Sequence, residues 1–321
     1  MQFKFKNGSG KKTTLKMPVL AVLGPTASGK TGLALEIAAR HNCEIVNCDS
    51  RQIYSEMLIG TAHPTQTEMA QAPHHLFSII LPDRSFSAAE YAEAAATAIR
   101  QIWQRQRIPL LVGGTGFYYD ALAEGLGQAG NDAELAQQLQ QELQTNGLAA
   151  MRERLQHLDP AASSQIDINN SRRVLRAIEI ITITGRPLAD NRRTSPLPEA
   201  HFLPVVVTRP RDELHRAISR RVDQMIAAGL ESEVRRLADK YGRQAPGLNS
   251  IGYSEWFAMF DGTANLDAVR EAIVIHTRQY AKRQETWLRR RPGPPLYDLA
   301  ETEQRAAIFE NVAEFLAAFA L

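Results

Sequence analysis

The chain has 321 residues, 44% of them hydrophobic and 22% charged, with a formal net charge of +2; this is room for one large elaborated domain or two domains. Its longest uninterrupted apolar stretch, near Pro18 to Leu23, falls far short of the roughly 20 residues that span a bilayer, which excludes a transmembrane helix. Two cysteines, Cys43 and Cys48, are too few for a disulfide framework or a zinc site and fit a buried role in a reducing cytoplasm.

Residues 1–16 carry Lys4, Lys6, Lys11, Lys12 and Lys16 without an acid. Lacking the apolar segment of a secretory signal, they are expected to be a disordered basic tail. Pro18 to Leu23 is a short apolar run suited to a strand buried on both faces of a parallel sheet. A helix is predicted from Lys30 to Arg40, a second strand over Glu44–Asn47, and a long helix from the capping box Ser87–Glu90 to about Arg105. Pro109–Val112 is a third strand, stopped by Gly113 and Gly114. This alternation predicts an α/β fold, a parallel sheet flanked by helices, over residues 17–125 and 201–321. Between them, 126–200 is Gln-rich and charged, with turn signals at Asp159-Pro160, Gly185-Arg186-Pro187 and Ser195-Pro196; it is expected to be an inserted helical subdomain. Pro204–Val207 returns to the sheet, and helices are expected to dominate thereafter.

Residues Gly24-Pro-Thr-Ala-Ser-Gly-Lys-Thr31 match the Walker A pattern between a predicted strand and a predicted helix, the context that motif requires. Gly24 and Gly29 let the backbone N–H groups of Thr26, Ala27 and Ser28 turn toward a phosphate; Lys30 supplies a cation, and Thr31 is placed to ligate magnesium. A nucleotide-driven motor carries an acid at the end of a neighbouring strand. Here that strand ends in Gly113-Gly114-Thr115-Gly116, while the second strand ends in Asp49. Ligands of open α/β sheets bind beyond the carboxyl ends of the strands, so the phosphate loop, Asp49 and Thr115 are expected to share one crevice. On the helix predicted from Asp212 to Ala228, Arg221 shares a face with Leu214, Ile218 and Met225 and needs a buried acceptor, which a diphosphate or a carboxylate would provide.

In order over residues 18–291 stand Gly24–Thr31, Asp49-Ser-Arg-Gln-Ile-Tyr54 with Met57 and Ile59–Ala62, Ala72–His75, Leu111–Thr115, Arg221-Val-Asp-Gln-Met225, Ile251-Gly-Tyr253, and Lys282-Arg-Gln284 with Trp287–Arg289. In these blocks and their order the sequence resembles the tRNA dimethylallyltransferase (tRNA isopentenyltransferase) family. The resemblance implies transfer of a dimethylallyl group from dimethylallyl diphosphate to the exocyclic amine of the adenosine 3′ of the anticodon, in tRNAs reading codons that begin with U. It further implies a magnesium requirement and a phosphate loop that grips the prenyl donor and not ATP.

By that resemblance Asp49 is the general base, with Lys30, Arg221 and Thr115 completing the catalytic set. The donor diphosphate would lie on Gly24, Thr26, Ala27, Ser28, Gly29, Lys30 and Thr31. The anticodon stem-loop, its target base flipped out, would meet Asp49, Ser50, Arg51, Gln52 and Thr115. Further RNA contacts are expected from Asn170, Ser171, Arg172 and Arg173, from Ile251, Gly252 and Tyr253, and from Arg278, Lys282, Arg283 and Gln284 in the basic run between His276 and Arg291. Tyr280, Trp287 and Trp256 are read equally as core residues. A cytoplasmic monomer is expected. Competing readings are a small-molecule kinase, an enzyme prenylating free adenine nucleotides, and a non-catalytic RNA-binding module; the last does not explain an intact phosphate loop facing Asp49.

Overall fold

The structure, a computed structural model, describes residues 16–127, 132–191, 193–290 and 295–319. The basic segment 1–15 and Arg291 lie outside them. Lys16, assigned to the tail, is described and donates to the Pro198 carbonyl at 2.7 Å, just before the first strand.

Two compact units make up the chain, Met1–Ala123 with Pro196–Leu321, and Glu124–Ser195. In chain order the first stretch runs β1 (Met17–Leu23), α1 (Lys30–His41), β2 (Cys43–Asn47), α2 (Gln66–Met69), β3 (His74–His75), α3 (Ala88–Gln104), β4 (Ile108–Gly113) and α4 (Gly116–Ala123). The second unit holds β5 (Leu126–Gly127), α5 (Ala133–Leu158), α6 (Ala162–Gln165), α7 (Ser171–Thr184) and β6 (Arg193–Thr194). The chain returns through β7 (Ala200–Thr208), α8 (Arg211–Ala227), α9 (Leu230–Tyr241), α10 (Trp256–Phe260), α11 (Leu266–Arg289), β8 (Leu296–Asp298) and α12 (Thr302–Ala317).

The main sheet has the order β3-β2-β4-β1-β7-β8, and every pairing in it is parallel. Its central strands are buried along nearly their whole length. This is why Val19–Leu23, Ile45–Val46 and Leu110–Val112 read as continuous apolar runs without alternation. Helix α3 opens at Ser87, whose hydroxyl accepts from Glu90 N while the Glu90 carboxylate accepts from Ser87 N, so its start was legible as a capping box. The edge strands β3 and β8 were not anticipated. With two and three residues, neither is long enough to show a period, and only pairing to β2 and β7 makes them strands.

The second unit has its own core of Leu139, Met151, Leu155, Val174, Ala177, Ile178 and Ile181. Helix α5 kinks at Gly147 (φ 75°, ψ 173°), a conformation open to glycine alone at little cost. The two-stranded ribbon β5–β6 closes the unit where the chain enters and leaves it.

Candidate active site

At the carboxyl end of β1 the chain turns through Gly24–Gly29 into the N-terminus of α1. Ala27 (φ 61°) and Gly29 (φ 96°) are left-handed, which curls the loop into a nest of converging N–H groups. For Ala27 this conformation costs roughly 1–2 kcal/mol, offset where the residue packs against Leu214, Ile218 and Ala281. The Ser28 Oγ is buried without a partner among the described residues, and an anion seated in the nest would satisfy it.

Lys30, the first residue of α1, donates from Nζ to the Pro25 carbonyl at 2.6 Å. Burial lowers its pKa to about 8; Asp49 works against that fall and Arg221 adds to it. The three charged groups therefore sit within electrostatic reach of one another. Arg221 on α8 is likewise pushed down by burial, with Asp49 again opposing. It donates to the Thr26 hydroxyl at 3.3 Å, with no carboxylate partner among the described residues.

Asp49 follows β2 in a turn built by Asn47, whose side chain accepts from Asp49 N at 2.8 Å and donates to the carbonyls of Asp49 (3.1 Å) and Leu76 (3.0 Å). One Asp49 carboxylate oxygen accepts from Arg51 N at 2.8 Å. Thr115 lies beside this turn: its N–H donates to the Cys48 carbonyl at 3.1 Å, and its hydroxyl accepts from Ser50 N at 2.9 Å. That approach requires Gly113, because a Cβ there would lie 2.0 Å from the Cys48 carbonyl oxygen. The Cys48 and Cys43 thiols are buried, which pushes both up to about 12 and leaves them unreactive.

Of these groups Thr26, Asp49 and Arg221 line a cavity of about 310 Å³, whose walls also include Arg51, Tyr280, Arg283 and the segment Ile251–Tyr253. Among the expected acceptor contacts, Ser50 and Arg51 are half-buried, and Gln52 donates to the carbonyls of Thr61 (3.2 Å) and Ala62 (2.8 Å), pinning the loop that forms one wall. Lys282 and Arg283 are exposed, with Arg283 above the Tyr280 ring at 5.7 Å, while Arg278 donates to Ser219 Oγ at 3.2 Å. In the second unit, Asn170 caps α7 by accepting from Arg173 N at 3.3 Å, Ser171 begins that helix, and Arg172 and Arg173 are exposed.

Two further residues expected to touch RNA are buried and bonded within the protein. Gln284 is buried, accepting from Thr26 N at 2.9 Å and donating to the Gly114 carbonyl at 2.9 Å. It ties the phosphate loop to the Gly113–Thr115 turn, and it occupies the Thr26 N–H that was assigned to the diphosphate. Tyr253 has no exposed side-chain surface, and its hydroxyl donates to Glu233 at 2.7 Å. Trp256 is fully buried, as a core residue is, while Trp287 is half-buried and donates to Asp120 at 2.8 Å.

Sequence reasoning missed Glu233. Its buried carboxylate accepts from the N–H groups of Leu58, Ile59 and Gly60 at 2.9–3.1 Å, fixing the loop opposite Asp49. The signal was present: Leu230, Glu233, Val234 and Leu237 lie on one helical face, where an acid must find donors. Tyr280 was also undervalued. Burial first and the Asp49 charge second push its hydroxyl up to about 12, and it is hydrogen-bonded to Thr115.

A family model described as IPP transferase matches residues 52–291. A tRNA dimethylallyltransferase from Shouchella clausii is 40% identical over 302 residues, covering 94% of this chain and 97% of that protein. Another from Chloroflexus aggregans is 42% identical over 295 residues, covering 90% and 99%. The crystal structure of the full-length tRNA isopentenylpyrophosphate transferase from Bacillus halodurans superposes with a TM-score of 0.70 at 36% identity, covering 95% of this chain and 98% of that one. With the family model spanning most of the chain and relatives of this identity matching end to end, the chain belongs to the IPP transferase family, that of the tRNA dimethylallyltransferases.

Proposed function

We propose that this chain transfers the dimethylallyl group of dimethylallyl diphosphate to the exocyclic amine of the adenosine immediately 3′ of the anticodon, in tRNAs reading U-starting codons. The observation that carries the reading is that Asp49 and Arg221 line one cavity with Lys30 in electrostatic reach of both: two cations and the phosphate loop for a leaving diphosphate, with one carboxylate for an incoming amine.

The adenine amine is a weak nucleophile because its lone pair is delocalised into the ring. As its nitrogen bonds to the allylic carbon, Asp49 takes the amine proton, a contribution of roughly 10²–10⁴-fold for general bases. The carbon–oxygen bond to diphosphate breaks with its electron pair on oxygen. That growing charge meets Lys30, Arg221 and the N–H of Ala27, while the N–H groups of Thr26 and Ser28 donate within the protein to Gln284 and the Pro25 carbonyl. Thr115 holds the Asp49 turn through Ser50. Magnesium fits the donor set, since the Thr31 hydroxyl in the first turn of α1 and the oxygens of the diphosphate are the hard ligands it prefers. When bound, it neutralises part of the leaving group's charge. The exposed Arg172, Arg173, Lys282 and Arg283 are our candidates for phosphate contacts with the anticodon stem-loop. One chain carries every group of the site, so a monomer suffices, and its two free, buried cysteines suit the cytoplasm.

The test is transfer of labelled dimethylallyl from its diphosphate to unmodified tRNA in the presence of magnesium. Asp49→Asn is expected to lower the single-turnover rate at least 100-fold while leaving tRNA affinity within about threefold. Normal turnover by that variant would remove Asp49 from the role of base. Phosphate transfer from ATP to a small acceptor, with no label in RNA, would replace the reading with a kinase.

A further inference from the structure

Phe117 is 62% exposed, more than any other large hydrophobic side chain among the described residues. Its neighbours give it no freedom to fold inward. Tyr118 and Tyr119 are buried, Tyr118 stacked on Tyr91 at 4.0 Å between centroids, and the N–H groups of both donate to the Thr115 carbonyl. On the other side Gly116 lies flat against the Trp287 indole, where a Cβ would come within 2.2 Å of the ring. The first turn of α4 is thus clamped from both ends, and the phenyl ring is committed to solvent two residues after Thr115.

That position follows the turn that packs against the Asp49 segment, outside the cavity lining itself. Thr115 holds the turn that carries Asp49. On α11, Arg283 lies one turn before Trp287 on the same face and lines the cavity, with Lys282 exposed beside it. A solvent-facing aromatic on a helix whose first residue packs against Trp287, one turn from the exposed Arg283 of the cavity wall, has the chemistry of single-stranded RNA recognition, in which unstacked bases lie on aromatic faces and phosphates meet cations. We propose that Phe117 stacks on a base flanking the target adenosine, replacing the stacking partner that base loses when the adenosine leaves the loop. This rests on the prenyl-transfer reading above. It adds a residue that positions the RNA without touching the prenyl donor.

The experiment uses the full-length enzyme, dimethylallyl diphosphate and anticodon stem-loop RNAs, one intact and two with an abasic nucleotide on either side of the target adenosine. With intact RNA, Phe117→Ala should raise the KM for RNA roughly 5- to 100-fold, the range of base–aromatic stacking, and leave the KM for dimethylallyl diphosphate unchanged. Phe117→Trp should restore binding and show quenching of its added fluorescence on RNA addition. One abasic RNA should weaken binding to the wild-type enzyme and to Phe117→Trp, but not further weaken Phe117→Ala. Equal losses for wild type and Phe117→Ala on both abasic RNAs, or an unchanged KM for intact RNA in Phe117→Ala, would overturn the proposal while leaving the transferase reading intact. No transfer by the wild-type enzyme to intact RNA would instead overturn the reading on which it rests.

Discussion

Lys30 shows how the site trades stability for binding. Its ammonium is held among protein groups at a pKa of about 8, against 10.5 for a free lysine. The folded state therefore carries a charge-burial cost below pH 8, where both states are protonated. Between about pH 8 and 10.5 the unfolded chain binds more protons, and wild-type stability from this group rises with pH. Lys30 keeps some solvent contact, so the cost is taken as about 1–2 kcal/mol after allowance for screening. Lys30→Met should accordingly be more stable than wild type at pH 7 by that amount, with the gain fading by about pH 10.5, as urea melts at the two pH values would show. It should also lose diphosphate binding. In the wild type, diphosphate affinity should weaken as pH rises through about 8. Lys30, Asp49 and Thr115 were all legible because motif and strand-end position announce them. For Glu233 the helical face announced a buried acid but not its partner, and Gln284 gave no signal, since each acts through backbone groups of a segment distant in sequence.

At the scale of elements, two buried side chains hold opposite halves of the site. Gln284 on α11 joins the phosphate loop to the turn after β4, and Glu233 on α9 grips Leu58–Gly60 on the acceptor side. Gln284→Leu strands a buried N–H and a carbonyl, and Glu233→Gln turns an amide N–H toward backbone donors. Each should cost about 1–3 kcal/mol in stability. Kinetically they should diverge: Gln284→Leu raises the KM for dimethylallyl diphosphate and Glu233→Gln raises that for tRNA, each by more than threefold and with little crossover. Equal effects on both substrates would mean that each staple supports the whole site. Helices α1, α3 and α8 were predicted within one or two residues, because caps and 3.6-residue spacing are local signals.

Considered as a whole molecule, the second unit is self-contained. Its core is formed within residues 135–188, and the Glu124–Arg193 ion pair and the β5–β6 ribbon bring its entry and exit together. Replacing residues 124–195 with a short glycine linker should leave the first unit folded and able to bind dimethylallyl diphosphate. Affinity for tRNA should fall by at least tenfold if Arg172 and Arg173 contact it as proposed. Calorimetry with the donor and filter binding with tRNA would measure the two separately.

By itself the amino-acid order determined the parallel α/β class, the phosphate loop and the position of Asp49 at a strand end, because each is encoded within a few consecutive residues. Only tertiary structure decided that Gln284 and Tyr253 are buried in hydrogen bonds within the protein, that Glu233 fixes a cavity wall, and that Phe117 is left outside. Those outcomes depend on which groups meet in space, from 20 residues apart for Tyr253 and Glu233 to 258 for Gln284 and Thr26, and no local pattern names the partner.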